Sequence, residues 1–161
     1  MNSDIYILAL ELGEQLKKRC AWVTAAESCT GGGVASALTD IAGCSSWFEV
    51  GYVVYSYRQK EQLLGVPKAT LAAHGAVSEA VVRAMVTGAL HASGADYAIA
   101  ISGIAGPGGG TPEKPVGTVW FAWQGPQSSA ALCMQFDGDR RSVREQAVEF
   151  SLRQLLHLTH E

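Results

Sequence analysis

The stretch from Tyr97 to Gly117, "YAIAISGIAGPGGGTPEKPVG", limits the fold more than any other part of this chain. Its first part is a continuous apolar run, short enough for a strand buried on both faces. From Gly103 to Gly117, glycine and proline are too dense for regular structure. A strand of that kind lies inside a sheet covered by helices, and the loop after it leaves at the sheet's edge. A structureless loop this long is functional or disordered. Its glycines form neither a G-K-[ST] phosphate loop nor G-x-G-x-x-G. We read it as a binding loop.

The rest of the chain supplies the partners such a sheet needs. Ile5, Leu8, Leu12 and Leu16 recur at helical spacing, with Glu11, Glu14, Lys17 and Lys18 on the polar side. "AWVTAAES" reads as a short strand, and "GGVASALTDIAG" as a helix entered through glycine and closed by Gly43. "WFEVGYVVYS" is rich in aromatic and β-branched residues and reads as a strand. A short helix ends at Gly65, and Pro67 opens another turn. Ser78 caps a helix that closes at Gly94. "TVWFAW" and "AALCMQF" read as a strand pair across "QGPQSS". A last helix starts near Arg140, with Val148, Leu152 and Leu155 on one face. Helices and strands interleave, so the class is α/β, with helices on both faces of the sheet. The late hairpin makes that sheet mixed. No repeat or linker divides the chain, which reads as one domain, 1–161.

Composition narrows the function. The chain is 48% hydrophobic and 17% charged, enough apolar material for a core. A net charge of −3 argues against an extended nucleic-acid footprint, which needs a basic face, but leaves room for a local anion pocket. Cys20, Cys29, Cys44 and Cys133 form no C-x-x-C pair and match no zinc spacing. Cys20 and Cys133 read as core thiols. Acids interrupt the first apolar stretch, unlike a signal peptide. No apolar run approaches the roughly 18 residues of a membrane helix. The expectation is a cytoplasmic protein with reduced cysteines.

Three segments carry candidate chemistry. In "AESCTGGGVASAL", Ala26 to Leu38, a strand meets small residues and a helix start. Backbone N–H groups there suit an anion or oxyanion. Ser28 or Thr30 are candidate nucleophiles, with Cys29 as a competitor; the alternative role for Ser and Thr before a helix is an N-cap. The glycines let a ligand approach the backbone. A serine nucleophile needs a base, and His74, His91, His157 and His160 occupy no motif-like position. Lys60, in "YSYRQK", is the alternative base if burial or a positive neighbour lowers its pKa; otherwise it is a solvated lysine. The third segment is the Gly103–Gly117 loop, to which "DGDRR" adds Arg140 or Arg141 as a phosphate clamp, or simply starts a capped helix.

Taken together, "AESCTGG", "AGCSSWFEVGYVVYS", Lys60, "HGAVSE", "ISGIAGPGGGTPEKPVGTVWFA" and "FDGDRRSVREQA" resemble, in order and over nearly the whole chain from about residue 5, the CinA C-terminal domain family. Within that family the chain resembles the stand-alone nicotinamide-nucleotide amidases. The resemblance implies a three-layer α/β/α sandwich around a mixed sheet. It implies hydrolysis of the carboxamide of nicotinamide mononucleotide to nicotinate mononucleotide and ammonia, in homo-oligomers, with no cofactor and no metal. It puts the nucleophile on Ser28, the base on Lys60 and an orienting or relaying tyrosine on Tyr55. Substrate-binding positions fall on Cys29, Thr30, Gly31 and Gly32, whose N–H groups would meet the oxyanion. Ser102, Gly103, Gly106 and Gly108 of the glycine loop, and Arg140 at the phosphate, complete the set. The family commonly has asparagine where this chain has Tyr57. That departure predicts an amidase limited by Tyr57. The alternative is a weak or silent paralogue that binds a nucleotide or a protein partner.

Overall fold

A computed structural model describes residues 2–161. The first helix, α1 (Ser3–Arg19), is capped by Asn2 and buries Ile5, Leu8, Leu12 and Leu16, the stripe its spacing predicts. Strand β1 (Val23–Glu27) follows and is buried along its whole length. Helix α2 (Gly33–Thr39) and a short 3-10 turn (Cys44–Ser46) lead to β2 (Tyr52–Val53). Helices α3 (Tyr57–Leu64), α4 (Lys68–His74) and α5 (Glu79–Ser93) come next. Strand β3 (Tyr97–Gly103) precedes the glycine-rich loop, and β4 (Thr118–Gln124) and β5 (Ser129–Gln135) follow it. Helix α6 (Arg140–Leu158) closes the chain.

The strands lie in the order β2-β1-β3-β4-β5. β1 pairs parallel with β2 and β3, and the β3–β4 and β4–β5 pairs are antiparallel, so the sheet is mixed. Side-chain alternation along the strands splits the core in two. Ala25, Ile99, Ile101 and Phe121 meet α1, α2 and α6 on one face. Ala26, Ala98, Ala100 and Ala122 meet α3, α4 and α5 on the other. The small residues on this second face let α5 lie close to the sheet. Gly88 of α5 in turn faces the Leu64 carbonyl of α3, where any Cβ would collide. Close α3–α5 packing fixes the helix that carries Lys60.

Three expectations are corrected. "WFEVGYVVYS" is not one long strand: only Tyr52 and Val53 pair as β2, apart from a single bridge between Phe48 and Val23. Between the bridge and β2, the Val50 carbonyl accepts the Thr24 hydroxyl at 2.7 Å. The helix read up to Gly43 stops at Thr39 and resumes only as the 3-10 turn. Cys20 and Cys133 are exposed rather than core thiols. Cys20 ends α1 in a left-handed conformation (φ 52°), and Cys133 lies on the edge strand β5. No helix among the described residues is long and apolar enough to cross a membrane.

Candidate active site

The site is built where β1 runs out. Ser28 follows its last residue, and its N–H donates to the Ile101 carbonyl of β3 at 3.0 Å, which extends the sheet by one bond. The turn after it needs two consecutive left-handed residues, Gly31 (φ 57°) and Gly32 (φ 101°), a conformation L side chains rarely adopt. On the neighbouring strand edge, Ser56 caps α3 by accepting the Gln59 N–H at 3.1 Å. One turn into that helix, Lys60 and Leu64 share its buried face.

Lys60 is only 1% exposed. Its Nζ lies 2.9 Å from Ser28 Oγ, 2.9 Å from the Val54 carbonyl and 3.2 Å from the Tyr55 carbonyl. None of these partners is a carboxylate. Burial lowers the Lys60 pKa from the usual 10.5 to about 8. The geometry follows from counting protons. A neutral amine has two N–H bonds and one lone pair. If the N–H bonds go to the two carbonyls, the lone pair faces the Ser28 hydroxyl. The arrangement can remove the hydroxyl proton as the oxygen attacks an electrophile. Ser28 is therefore not an N-cap.

The other two nucleophile candidates are committed elsewhere. Thr30 donates its hydroxyl to Glu27 Oε1 at 2.6 Å. Burial pushes the Cys29 thiol up to about 12, so it stays protonated. Glu27 was not singled out by sequence reasoning, yet it organises the turn. Its buried carboxylate accepts from Thr30, from the Val34 N–H at 2.9 Å and from the Ala35 N–H at 3.0 Å. It replaces the side-chain cap that Gly32 cannot provide. This corrects one expectation: the first N–H groups of α2 are occupied by a protein carboxylate and do not await a ligand. The signal was visible as an acid ending an otherwise apolar, buried strand, where it must find donors. What remains free is the turn itself. Among the described residues, the N–H groups of Cys29, Thr30 and Gly32 have no protein acceptor, whereas the Gly31 N–H, expected at the oxyanion, donates to the Ser28 carbonyl at 3.1 Å.

The glycine-rich loop and α6 form the other side. Arg140, the first residue of α6, donates to the Gly106 carbonyl at 2.8 Å and to the Tyr55 hydroxyl at 3.1 Å. It helps line a cleft of about 770 Å³ with Ala105, Pro107, Val116, Arg141 and Arg144. The structure thus brings Tyr55, Gly106 and Arg140 together. The Tyr55 hydroxyl is bonded to Arg140, and only its main-chain carbonyl meets Lys60. Ser102 is buried in β3 opposite Trp120, and a Cβ on Gly103 would come within 2.7 Å of Val119. A Cβ on Gly106 would collide with Val116, whereas nothing crowds Gly108. Arg141 lines the cleft but makes no side-chain hydrogen bond among the described residues. The Tyr57 hydroxyl accepts the Ala76 N–H at 3.1 Å, in the α4–α5 connection, and is not among the groups that bond Lys60.

Residues 6–159 match the CinA C-terminal domain. The chain belongs to that family. It is 55% identical to a Pseudomonas putida protein named nicotinamide-nucleotide amidohydrolase PncC, over 98% of both chains. It is 54% identical to an Enterobacter agglomerans protein of the same name, over 94% of this chain and 93% of that one. Among solved structures, the competence/damage inducible protein CihA from Agrobacterium tumefaciens superposes with a TM-score of 0.96 at 40% identity, covering 98% of this chain and 97% of its own. The α/β fold with a mixed sheet is thus the fold of CinA proteins, as the sequence motifs imply.

Proposed function

We propose that this protein hydrolyses the carboxamide of nicotinamide mononucleotide, giving nicotinate mononucleotide and ammonia. The observation that carries the reading is the Lys60–Ser28 contact: a buried amine at 2.9 Å from a hydroxyl, with two carbonyls to aim it. The names of relatives at 54–55% identity supply the substrate.

The chemistry runs in two halves. Neutral Lys60 takes the Ser28 proton as Oγ attacks the carboxamide carbon. The developing oxyanion is met by the free N–H groups of Cys29, Thr30 and Gly32. The C–N bond then breaks, Lys60 returns its proton to the leaving nitrogen, and ammonia departs from a serine ester. In the second half a water molecule loses a proton to Lys60 and attacks the ester carbon. Ser28 recovers a proton from Lys60, and the nicotinic acid group of the product gives its remaining proton to solvent and leaves as a carboxylate. The phosphate is held at the cleft bearing Arg140, with loop residues Gly106 and Gly108 beside it. Tyr55 orients Arg140 through its hydroxyl and Lys60 through its carbonyl. The reading includes a homo-oligomer in the cytoplasm, without cofactor or metal.

The test incubates purified protein with nicotinamide mononucleotide and measures ammonia and nicotinate mononucleotide together. Equimolar release that disappears in Ser28→Ala supports the reading. Release that persists in Ser28→Ala overturns the nucleophile, and no release from the wild-type chain overturns the substrate.

A further inference from the structure

Sequence reasoning read the glycines after Thr30 as space for a ligand. Two of them face α6 instead. A Cβ on Gly33 would come within 2.8 Å of Val148 Cγ2, and one on Gly31 within 3.1 Å of the Arg144 guanidinium. Gly31 therefore makes room for an arginine that sequence reasoning did not consider. Arg144 donates through Nε to the Cys29 carbonyl at 3.0 Å and through its terminal nitrogen to the Thr30 carbonyl at 3.3 Å. It forms no salt bridge among the described residues. A guanidinium with no carboxylate partner is here directed at two consecutive peptide groups next to Ser28.

In a trans peptide the C=O and N–H point in opposite directions. Holding the Cys29 carbonyl on the α6 side therefore turns the Thr30 N–H away from α6, and that N–H has no protein acceptor. Other bonds close the turn, from the Thr30 hydroxyl to Glu27, from the Gly31 N–H to the Ser28 carbonyl and from the Gly33 N–H to the Thr30 carbonyl, but none of them engages either polar group of the Cys29–Thr30 peptide. A cation against the carbonyl also polarises the peptide toward a stronger N–H donor. We infer that Arg144 is a positioning residue: it locks the Cys29–Thr30 peptide so that the Thr30 N–H stands ready for the oxyanion. This deepens the amidase reading and rests on it.

Kinetics separate this role from the obvious alternative, a phosphate contact, since Arg144 also lines the cleft with Arg140. Arg144→Ala is expected to lower kcat on the order of 10²-fold, the scale of losing an oxyanion donor. KM should change little, and nicotinamide riboside, which lacks the phosphate, should lose as much as the nucleotide. Guanidinium ion below denaturing concentration should restore part of kcat in Arg144→Ala. Arg144→Lys should fall between, because an ammonium cannot span both carbonyls with a planar fork. A rise in KM confined to the nucleotide would make Arg144 a phosphate ligand and overturn the proposal. So would a loss of kcat that tracks lower Tm and is not rescued by guanidinium. Hydrogen exchange separates this from failure of the amidase reading. Arg144→Ala should speed exchange of the Gly31 and Gly33 N–H groups, which are bonded to the Ser28 and Thr30 carbonyls within the turn, while β1 and β3 stay protected. Unchanged exchange there overturns the positioning role whether or not the chain releases ammonia.

Discussion

The two sides of the site are built on opposite plans. On the β1–α2 and α3 side, Glu27, Thr30 and Lys60 are each about 1% exposed, and their polar groups have protein partners. On the loop and α6 side, Tyr55 is 63% exposed, and Arg140 reaches it and the Gly106 carbonyl across loop backbone. The first plan suits bond making, where small displacements of a nucleophile are costly and a low dielectric shifts a lysine toward its neutral form. The second suits recognition of a charged ligand, which must shed water and leave again. The contrast yields a ranked set of expectations. Substitutions on the buried side should act on kcat and those on the exposed side on KM, except at Arg144, which reaches from α6 into the β1–α2 turn and should act on kcat.

The largest effect belongs to Ser28→Ala. Removing the nucleophile should lower kcat by about 10⁵-fold or more, as in enzymes whose catalytic groups act as a unit. The fold should survive, because the main-chain bond of Ser28 to Ile101 does not use the side chain. Circular dichroism and ammonia release measure the two separately. Residual turnover of a few per cent would mean that the buried side does not supply the nucleophile.

Lys60→Arg comes next. A guanidinium stays protonated, so it keeps charge and loses basicity. A loss of 10²–10⁴-fold is expected, the usual range for a general base. The wild-type pH profile gives an independent check. Lys60 works neutral and has a pKa of about 8, so kcat/KM should rise with pH up to about 8 and then level off. Stability should move in the same direction over a higher window. Between about 8 and the usual 10.5 the unfolded chain binds the extra proton, so stability rises with pH there. Lys60→Met should remove that slope in denaturant titrations. A profile flat through pH 8 would assign the lysine a purely electrostatic role.

The contrast also explains what the sequence could and could not reveal. The α1 stripe, the buried β3 run and the Ser78 and Gly94 helix ends are local patterns, and the structure keeps them. Ser28 and Lys60 were legible as residue types, but their contact spans 32 positions and depends on α3 packing over Gly88. Glu27 left a local signal, an acid ending an apolar strand three residues before Thr30, whereas the role of Arg144 exists only through distant backbone partners. Arg144 meets carbonyls 115 and 114 positions away, and no spacing rule encodes such a bond. Cys20 misled because apolar neighbours suggest burial, whereas a helix end turns its residue outward.

On the exposed side, Arg140→Ala should weaken nucleotide binding by about 1.5–3 kcal/mol, the range for a hydrogen bond to a charged group. The effect should appear in KM, with kcat within a few-fold of wild type. Nicotinamide riboside serves as the control, since it offers no phosphate. Equal losses for nucleoside and nucleotide would show that Arg140 acts through Tyr55 and the loop rather than on the phosphate. That result would bring the two sides of the site closer in kind.

The smallest effect should come from Tyr57, which lies outside both plans. Sequence reasoning expects Tyr57 to limit the amidase and Tyr57→Asn to relieve it. The hydroxyl is instead bonded to the Ala76 N–H, near the point where Lys114 Nζ donates to the His74 carbonyl at 2.9 Å. That ties α3 to the α4–α5 connection while Lys60, one helical turn on, keeps its three partners. Tyr57→Phe removes only the hydroxyl and should cost about 0.5–1.5 kcal/mol of stability, the net worth of one hydrogen bond. Its kcat should stay within about two-fold of wild type, because no partner of Lys60 is lost. Tyr57→Asn removes the ring as well, and the two substitutions together separate bulk from bonding. If Tyr57→Asn raised kcat tenfold while Tyr57→Phe left it unchanged, the ring would be obstructing the substrate. The boundary of the site would then extend to the α4–α5 connection, and the expectation drawn from the sequence would hold against the one drawn from the hydroxyl's position.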